Sequence, residues 1–316
     1  MRDVLVTAGE ILVEIMAATV GTGFRAIQSL TGPYPSGAPA IFIDQAARLG
    51  ARCAIIGAVG DDDFGWLNLD RLSRDGVDIS AVATHQGIAT GSAFVRYRAD
   101  GARDFVFNIL HSASSRIALT PEAERVIARA RRFHVMGSSL TIAAVRPIVE
   151  RAIGIVKARG GAISFDPNLR KELMTDAGLH QTLQRVLAAT DLFLPSGDEI
   201  LMFAGTTDMD EAAKQLIGQG IKEIALKRGA AGAHAYARGA SIRAGGFKVA
   251  EVDPTGAGDS FGATYTVCRD QGMGIERALS YANAAGARAV TIRGPMEGSS
   301  SFAELDGFID QHGGSQ

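Results

Sequence analysis

Residues 253–261 read Asp253-Pro254-Thr255-Gly256-Ala257-Gly258-Asp259-Ser260-Phe261. Two glycines around an alanine let consecutive backbone N–H groups face outward at the start of a helix, where the macrodipole and the unpaired donors of the first turn favour a phosphate or a developing anion. Asp259 stands directly after the second glycine, so its carboxylate should project into the same space and accept a proton from an attacking hydroxyl. Phosphoryl transfer needs both parts together. A plain helix N-terminus explains some of the run, with Thr255 as N-cap and Asp259 in the first turn. A cap, however, needs one polar residue and gains nothing from Gly-Ala-Gly-Asp in that order.

Outward from this run, short apolar stretches alternate with amphipathic ones. That is the pattern of an α/β fold, a doubly wound, mostly parallel sheet flanked by helices. Expected strands are 4–6, 54–59, 133–136, 162–165, 192–194 and 223–226. Expected helices are 40–49, 64–74, 121–131, 145–158, 181–189 and 210–217, several closed by a glycine such as Gly50 or Gly76. Residues 11–16 and 91–107, rich in β-branched and aromatic side chains, break the rhythm. They read as antiparallel strands of a small separate sheet, with Ala99-Asp100-Gly101-Ala102 as a hairpin turn.

With 316 residues, 47% hydrophobic and 21% charged, the chain has ample material for a large core. Its formal net charge is −2 and no basic run exceeds two residues, so no nucleic-acid partner is expected. No apolar stretch reaches membrane-spanning length, and Arg2, Asp3, Glu10 and Glu14 crowd the start, which speaks against a transmembrane helix or a signal peptide. The two cysteines, Cys53 and Cys268, lack metal-ligand spacing and suit a reducing compartment, so cytoplasmic residence is expected. None of the lysines follows a glycine, which removes the P-loop class of phosphotransferases.

Asp-x-Thr-Gly-Ala-Gly-Asp-x-Phe resembles the C-terminal signature of the ribokinase-like, or PfkB, carbohydrate kinases, and the likeness spans nearly the whole chain. The resemblance implies an ATP-dependent, Mg²⁺-using sugar kinase in which Asp259 is the catalytic base and the amides of Gly256, Ala257 and Gly258 form the anion hole. It implies a core of residues 1–10, 37–88 and 109–316 and a β-strand lid of 11–36 and 89–108, through which a homodimer can form. Gly57 to Gly65 resembles a further family run and also reads as a turn before an acidic helix start. Lys227-Arg228-Gly229-Ala230-Ala231-Gly232 resembles the nucleotide loop, which implies Lys227, Gly229 and Gly232 at the ATP, although a plain β-turn would look similar. Ser196-Gly197-Asp198-Glu199 ends a strand, where doubly wound sheets place their ligands. The family has Asn-x-x-Glu there, which implies magnesium held through water by Glu199, with the Ser196 hydroxyl in place of the Asn. Asn283 matches a run lining the base, and Asp253 and Thr255 lie where family members bind K⁺.

Ser36-Gly37-Ala38-Pro39-Ala40 resembles the Gly-Gly-Ala-Pro-Ala segment that backs the sugar, which implies Gly37 and Ala38 at the substrate. The Asn expected next is Ile41, so Asp44 or Gln45 would supply the missing contacts. Glu14 stands where relatives carry an acid that binds hydroxyls. Asp166-Pro167-Asn168-Leu169-Arg170 resembles the Asp-x-Asn-x-Arg run of hexose and ketodeoxygluconate kinases, which makes Arg170 a candidate for phosphate or sugar, or else a surface ion pair. Relatives specific for 2-keto-3-deoxygluconate place an arginine soon after the lid hairpin, and 104–115 contains none. The Arg293 to Gly298 run resembles bacterial tagatose or fructose kinases. The expected substrate is therefore a neutral ketohexose phosphorylated at its primary hydroxyl, tagatose ahead of fructose. Its rivals are 2-keto-3-deoxygluconate, whose carboxylate Arg170, Arg98 or Arg103 would have to reach, and a sugar-binding regulator of weak catalysis.

Overall fold

The structure, a computed structural model, describes residues 4–21, 23–99, 103–169 and 177–313. The first half of the chain forms β1 (Val4–Ala8), β2 (Leu12–Ala17), β3 (Leu30–Ser36), α1 (Ala38–Arg48), β4 (Cys53–Gly60), α2 (Asp63–Arg74), β5 (Asp78–His85), β6 (Gly91–Tyr97), β7 (Arg103–Asn108), α3 (Pro121–Ala128), β8 (Ala130–Met136) and α4 (Val145–Ala158). It continues with β9 (Ala162–Asp166), α5 (Ala177–Ala189), β10 (Leu192–Phe193), α6 (Met209–Gly218), β11 (Glu223–Lys227), β12 (Ala233–Ala237), β13 (Ala240–Ala244), α7 (Ala257–Asp270), α8 (Ile275–Val290) and α9 (Phe302–His312).

Among the described residues the main sheet runs β13-β12-β11-β10-β9-β8-β1-β4-β5. It is parallel from β11 to β5 and ends in the antiparallel β12–β13 hairpin. Every residue of β4 is buried, as a parallel strand covered on both faces requires. Successive side chains leave a strand on opposite faces: Val4, Val6 and Ala8 pack with α3, α4, α5 and α6, while Leu5 packs with α1, α7 and α8 on the other side. The second sheet runs β3-β2-β6-β7. No helix of the described residues is long and apolar enough to cross a membrane.

Three expectations need correction. The helix placed at 121–131 stops at Ala128, because 130–136 is claimed by β8, whose Phe133 and His134 align with Val6 and Thr7 of β1. Residues 11–16 are not antiparallel throughout: β2 is antiparallel to β3 but parallel to β6. Strand β3 escaped the pattern because Gly32, Pro33 and Pro35 suit only an edge strand. The turn at 99–102 falls largely outside the described residues; β6 and β7, which flank it, pair antiparallel with Tyr97 opposite Arg103.

The Gly57 to Gly65 run joins the two sheets. Asp62 caps α2 by accepting from the Gly65 N–H at 2.8 Å, and it also accepts from the Thr90 N–H at 2.8 Å and the Thr90 hydroxyl at 2.7 Å, just before β6. These donors outweigh its partial burial and hold its pKa below the usual carboxylate range.

Candidate active site

The glycine-rich run lies where sequence places it, but its cap differs. Gly256, not Thr255, is the N-cap of α7, with φ 80°, and a Cβ there would come within 2.4 Å of the Pro295 carbonyl oxygen, so only glycine fits. Thr255 instead accepts from the Arg103 guanidinium at 2.8 Å and donates to Glu14 at 3.2 Å. Asp259 sits in the first turn of α7, 8% exposed, and accepts from the Asn168 side-chain amide at 3.1 Å. Asn168 has φ 40°, a left-handed conformation that asparagine tolerates, and its own N–H is held by Asp166 at 3.2 Å.

Two cavities meet at the N-terminus of α7. One, of about 270 Å³, lies under the small sheet and is lined by Glu10, Glu14, Arg103, Asn168 and Asp259, with Gly37, Ala38 and Ile41 at its back and Ser196 and Glu199 at its rim. The other, of about 460 Å³, is largely apolar and is lined by Gly229, Gly232, Phe247, Ala257 and Asn283. Lys227, Pro254 and Gly258 border both. The wall between the cavities is thus the run 254–258 itself.

The strand ends supply the charge. Lys227 closes β11 and reaches across β10 to Asp166 at the end of β9, 2.5 Å away, both side chains buried. Burial opposes the Lys227 ammonium, but Asp166 and Glu199 outweigh it and hold its pKa above the usual range. Burial, and then the charge of Asp166, push Glu199 above the usual carboxylate range, although it accepts from the N–H groups of Leu169 and Ser196 at 2.9 and 2.7 Å. Asp166, Glu199 and Asp259 therefore face one lysine, an excess of negative charge that suits a divalent cation. Among the described residues no three His, Cys, Asp or Glu converge as a closed metal cage. Magnesium bound mainly by phosphate oxygens and water needs only one or two carboxylates.

Other expected residues stand as follows. Arg98 lines neither cavity: its side chain is half exposed and bonded to Asp104. Arg103, one residue before the arginine-free stretch 104–115, lines the polar cleft. Arg170 lies outside the described residues. Asp44 and Gln45 line neither cleft. They lie a turn deeper along α1 than Ile41 and face Arg71 and Ser300. Gly232 is glycine because a Cβ would meet the Ala244 carbonyl oxygen at 2.2 Å, and the Asn283 amide donates to the Ala244 and Gly245 carbonyls. Asp253 is buried and accepts from Tyr97, Thr255 N–H and Gly294 N–H, all neutral donors. Glu10 was missed as a site residue. Its position just past β1, at a strand end of a doubly wound sheet, was the available signal.

A glycine-led helix N-terminus with a buried carboxylate in its first turn, set at the strand ends of a doubly wound sheet between two clefts, defines a phosphotransferase that acts on a small hydroxyl compound. The chain matches the model of the pfkB family carbohydrate kinases over residues 5–301 and belongs to that family. It is 31% identical over 320 residues to Fructokinase-1 of Zea mays, covering 98% of each chain. To the 2-dehydro-3-deoxygluconokinase of Thermoproteus tenax it is 32% identical over 310 residues, covering 96% of this chain and 94% of that one. Among solved structures, a candidate ribokinase II from E. coli in complex with ATP and Mg²⁺ is 46% identical, with a TM-score of 0.92 over 98% of this chain and 100% of the other. The protein is an ATP-dependent carbohydrate kinase.

Proposed function

We propose that the protein transfers the γ-phosphoryl group of ATP to the primary hydroxyl of a neutral ketohexose, D-tagatose ahead of D-fructose. The observation that carries this reading is the meeting of a carboxylate-rich cleft and an apolar cleft at Lys227, Pro254 and Gly258, with Asp259 on the polar side. Sugar hydroxyls are donors, and Glu10, Glu14 and Asp259 are acceptors when ionised. The preference for tagatose rests on the likeness of the Arg293 to Gly298 run.

In this reading Asp259 takes the proton of the attacking hydroxyl, with its carboxylate held in place by the Asn168 amide. The amides at Gly256, Ala257 and Gly258 meet the transferring group, and Lys227 places a buried positive charge beside it. Gly229, Gly232 and Asn283 shape the nucleotide cleft. Glu199 would hold magnesium through water, near Ser196, and when bound that ion neutralises phosphate charge. Asp253, buried and bonded among the described residues to neutral donors, is the residue we assign to K⁺. We assign the protein to the cytoplasm, in keeping with its free, buried cysteines. We also assign a homodimer built across the small sheet, whose outer strands β3 and β7 carry the exposed Leu30 and Val106. Light scattering of the purified protein should give twice the chain mass; a monomer at every concentration removes that assembly.

A second reading, an acid sugar such as 2-keto-3-deoxygluconate, is favoured by Arg103, whose charge enters the polar cleft. It is opposed by Glu10 and Glu14 in the same cleft. An uncompensated carboxylate would cost several kcal/mol, of which Arg103 recovers part, so acid sugars and phosphosugars should fall at least about tenfold below the best ketohexose in kcat/KM. A coupled ADP assay over tagatose, fructose, psicose, ribose, adenosine, 2-keto-3-deoxygluconate and fructose phosphates checks this. If 2-keto-3-deoxygluconate wins and Arg103→Gln selectively removes its turnover, the neutral-sugar assignment is wrong.

A further inference from the structure

Outside the lining of both clefts, Arg71 and three carboxyl side chains gather, and the arginine reaches one backbone carbonyl of the segment that underlies the anion loop. Arg71 of α2 is 9% exposed and donates to Asp75 at 2.6 Å, to Glu297 at 3.3 Å and to Asp44 of α1 at 3.3 Å. Its remaining reach goes to the Met296 carbonyl at 2.6 Å. Asp44 is fully buried, and neither it nor Arg71 lines the substrate or nucleotide cleft. A planar guanidinium has a rigid fork of five donors, enough to span α1, α2 and the segment after α8 at once.

The segment so held, 293–298, is the floor of the anion loop. The Gly294 N–H donates to Asp253 at 3.0 Å, and the Pro295 carbonyl lies against Gly256 so closely that a Cβ there would sit 2.4 Å from it. Beyond it, Gln45 of α1 exchanges two hydrogen bonds with the Ser300 backbone, at 2.9 and 2.8 Å, and fixes the other end. The chain of contact therefore runs from Arg71 through Met296 and Pro295 to the first residue of the Gly256 to Gly258 amide run.

We propose that Arg71 is a positioning residue for phosphoryl transfer: clamped by Asp44, Asp75 and Glu297, it sets the height of the 293–298 segment and hence the seat of the anion loop. The proposal deepens the kinase reading and rests on the amides of 256–258 acting on the transferring group. An anion loop out of place by a fraction of an ångström still admits both substrates but stabilises the transition state less well.

Arg71→Lys keeps the positive charge beside Asp44, while its compact ammonium cannot span from Asp75 to Met296. The expected result is a kcat at least about tenfold lower with KM for sugar and ATP within about twofold of wild type. Amide hydrogen exchange should quicken at 253–258 and 293–298 and stay unchanged in α4. Should the lysine variant fold poorly, Arg71→Met combined with Asp44→Asn and Asp75→Asn, which removes both buried carboxylates that Arg71 compensates, should show the same split. Wild-type kcat in the folded variant, or unaltered exchange at 253–258, would overturn the proposal. Absence of sugar-dependent ADP release from the wild-type protein across the sugar panel would instead overturn the kinase reading beneath it, so the two failures are told apart.

Discussion

Asp259→Asn is expected to lower kcat by about 10²–10⁴-fold while KM for sugar and ATP change little. The amide is isosteric with the carboxylate and can keep the neighbouring Asn168 contact, now 3.1 Å long, by presenting its oxygen. Folding should therefore survive. In the proposed mechanism what is lost is the acceptor of the hydroxyl proton, and the two strand-end carboxylates are committed elsewhere: Asp166 is held by Lys227 and the Asn168 N–H, and Glu199 by Ser196 and Leu169. Steady-state kinetics with saturating ATP and sugar decide the matter. Turnover within a few-fold of wild type would remove Asp259 from the mechanism.

Lys227→Met should fail in two separable ways. Breaking a buried pair by removing one partner leaves Asp166 uncompensated, a destabilisation of about 3–5 kcal/mol. Under the proposed mechanism, losing the buried cation that borders both clefts should independently lower kcat by about 10²–10³-fold. Adding Asp166→Asn neutralises the stranded partner, so the double variant should recover most of the thermal stability and none of the rate. Recovery of wild-type turnover in the double variant would reduce Lys227 to a structural partner of Asp166.

The alternation of apolar and amphipathic stretches and the run 253–261 were readable because both are local. A helix period, a strand period and a glycine loop each declare themselves within a dozen residues. Six of the seven parallel strands follow from them; β5 escaped, because it is a mostly half-exposed edge strand with no continuous apolar run. Even at α7, though, the cap passed from Thr255 to Gly256, because the reason for glycine is the Pro295 carbonyl from the far side of α8.

The lid arginines show where local reading ends. Arg96, Arg98 and Arg103 are equivalent in composition, and only strand pairing tells them apart. In the β6–β7 register Tyr97 stands opposite Arg103, and both turn toward the anion loop, to Asp253 and Thr255. Arg96 stands opposite Asp104 and is spent on it, together with Arg98. A slip of one residue would have exchanged the two faces, and nothing along the chain reports that register.

The same holds for Asp44 and Gln45, which sit on α1 just beyond Gly37 and Ala38 and yet turn away, Asp44 to Arg71 of α2 and Gln45 to Ser300 some 250 residues later. The candidate anion loop and its carboxylate are contiguous in the chain, so the run 253–261 could be recognised without knowledge of the tertiary structure. The charge balance of the cleft depends on side chains brought together by sheet order, with Lys227 meeting Asp166 across an intervening strand, and such meetings are set by packing rather than by any pattern along the chain.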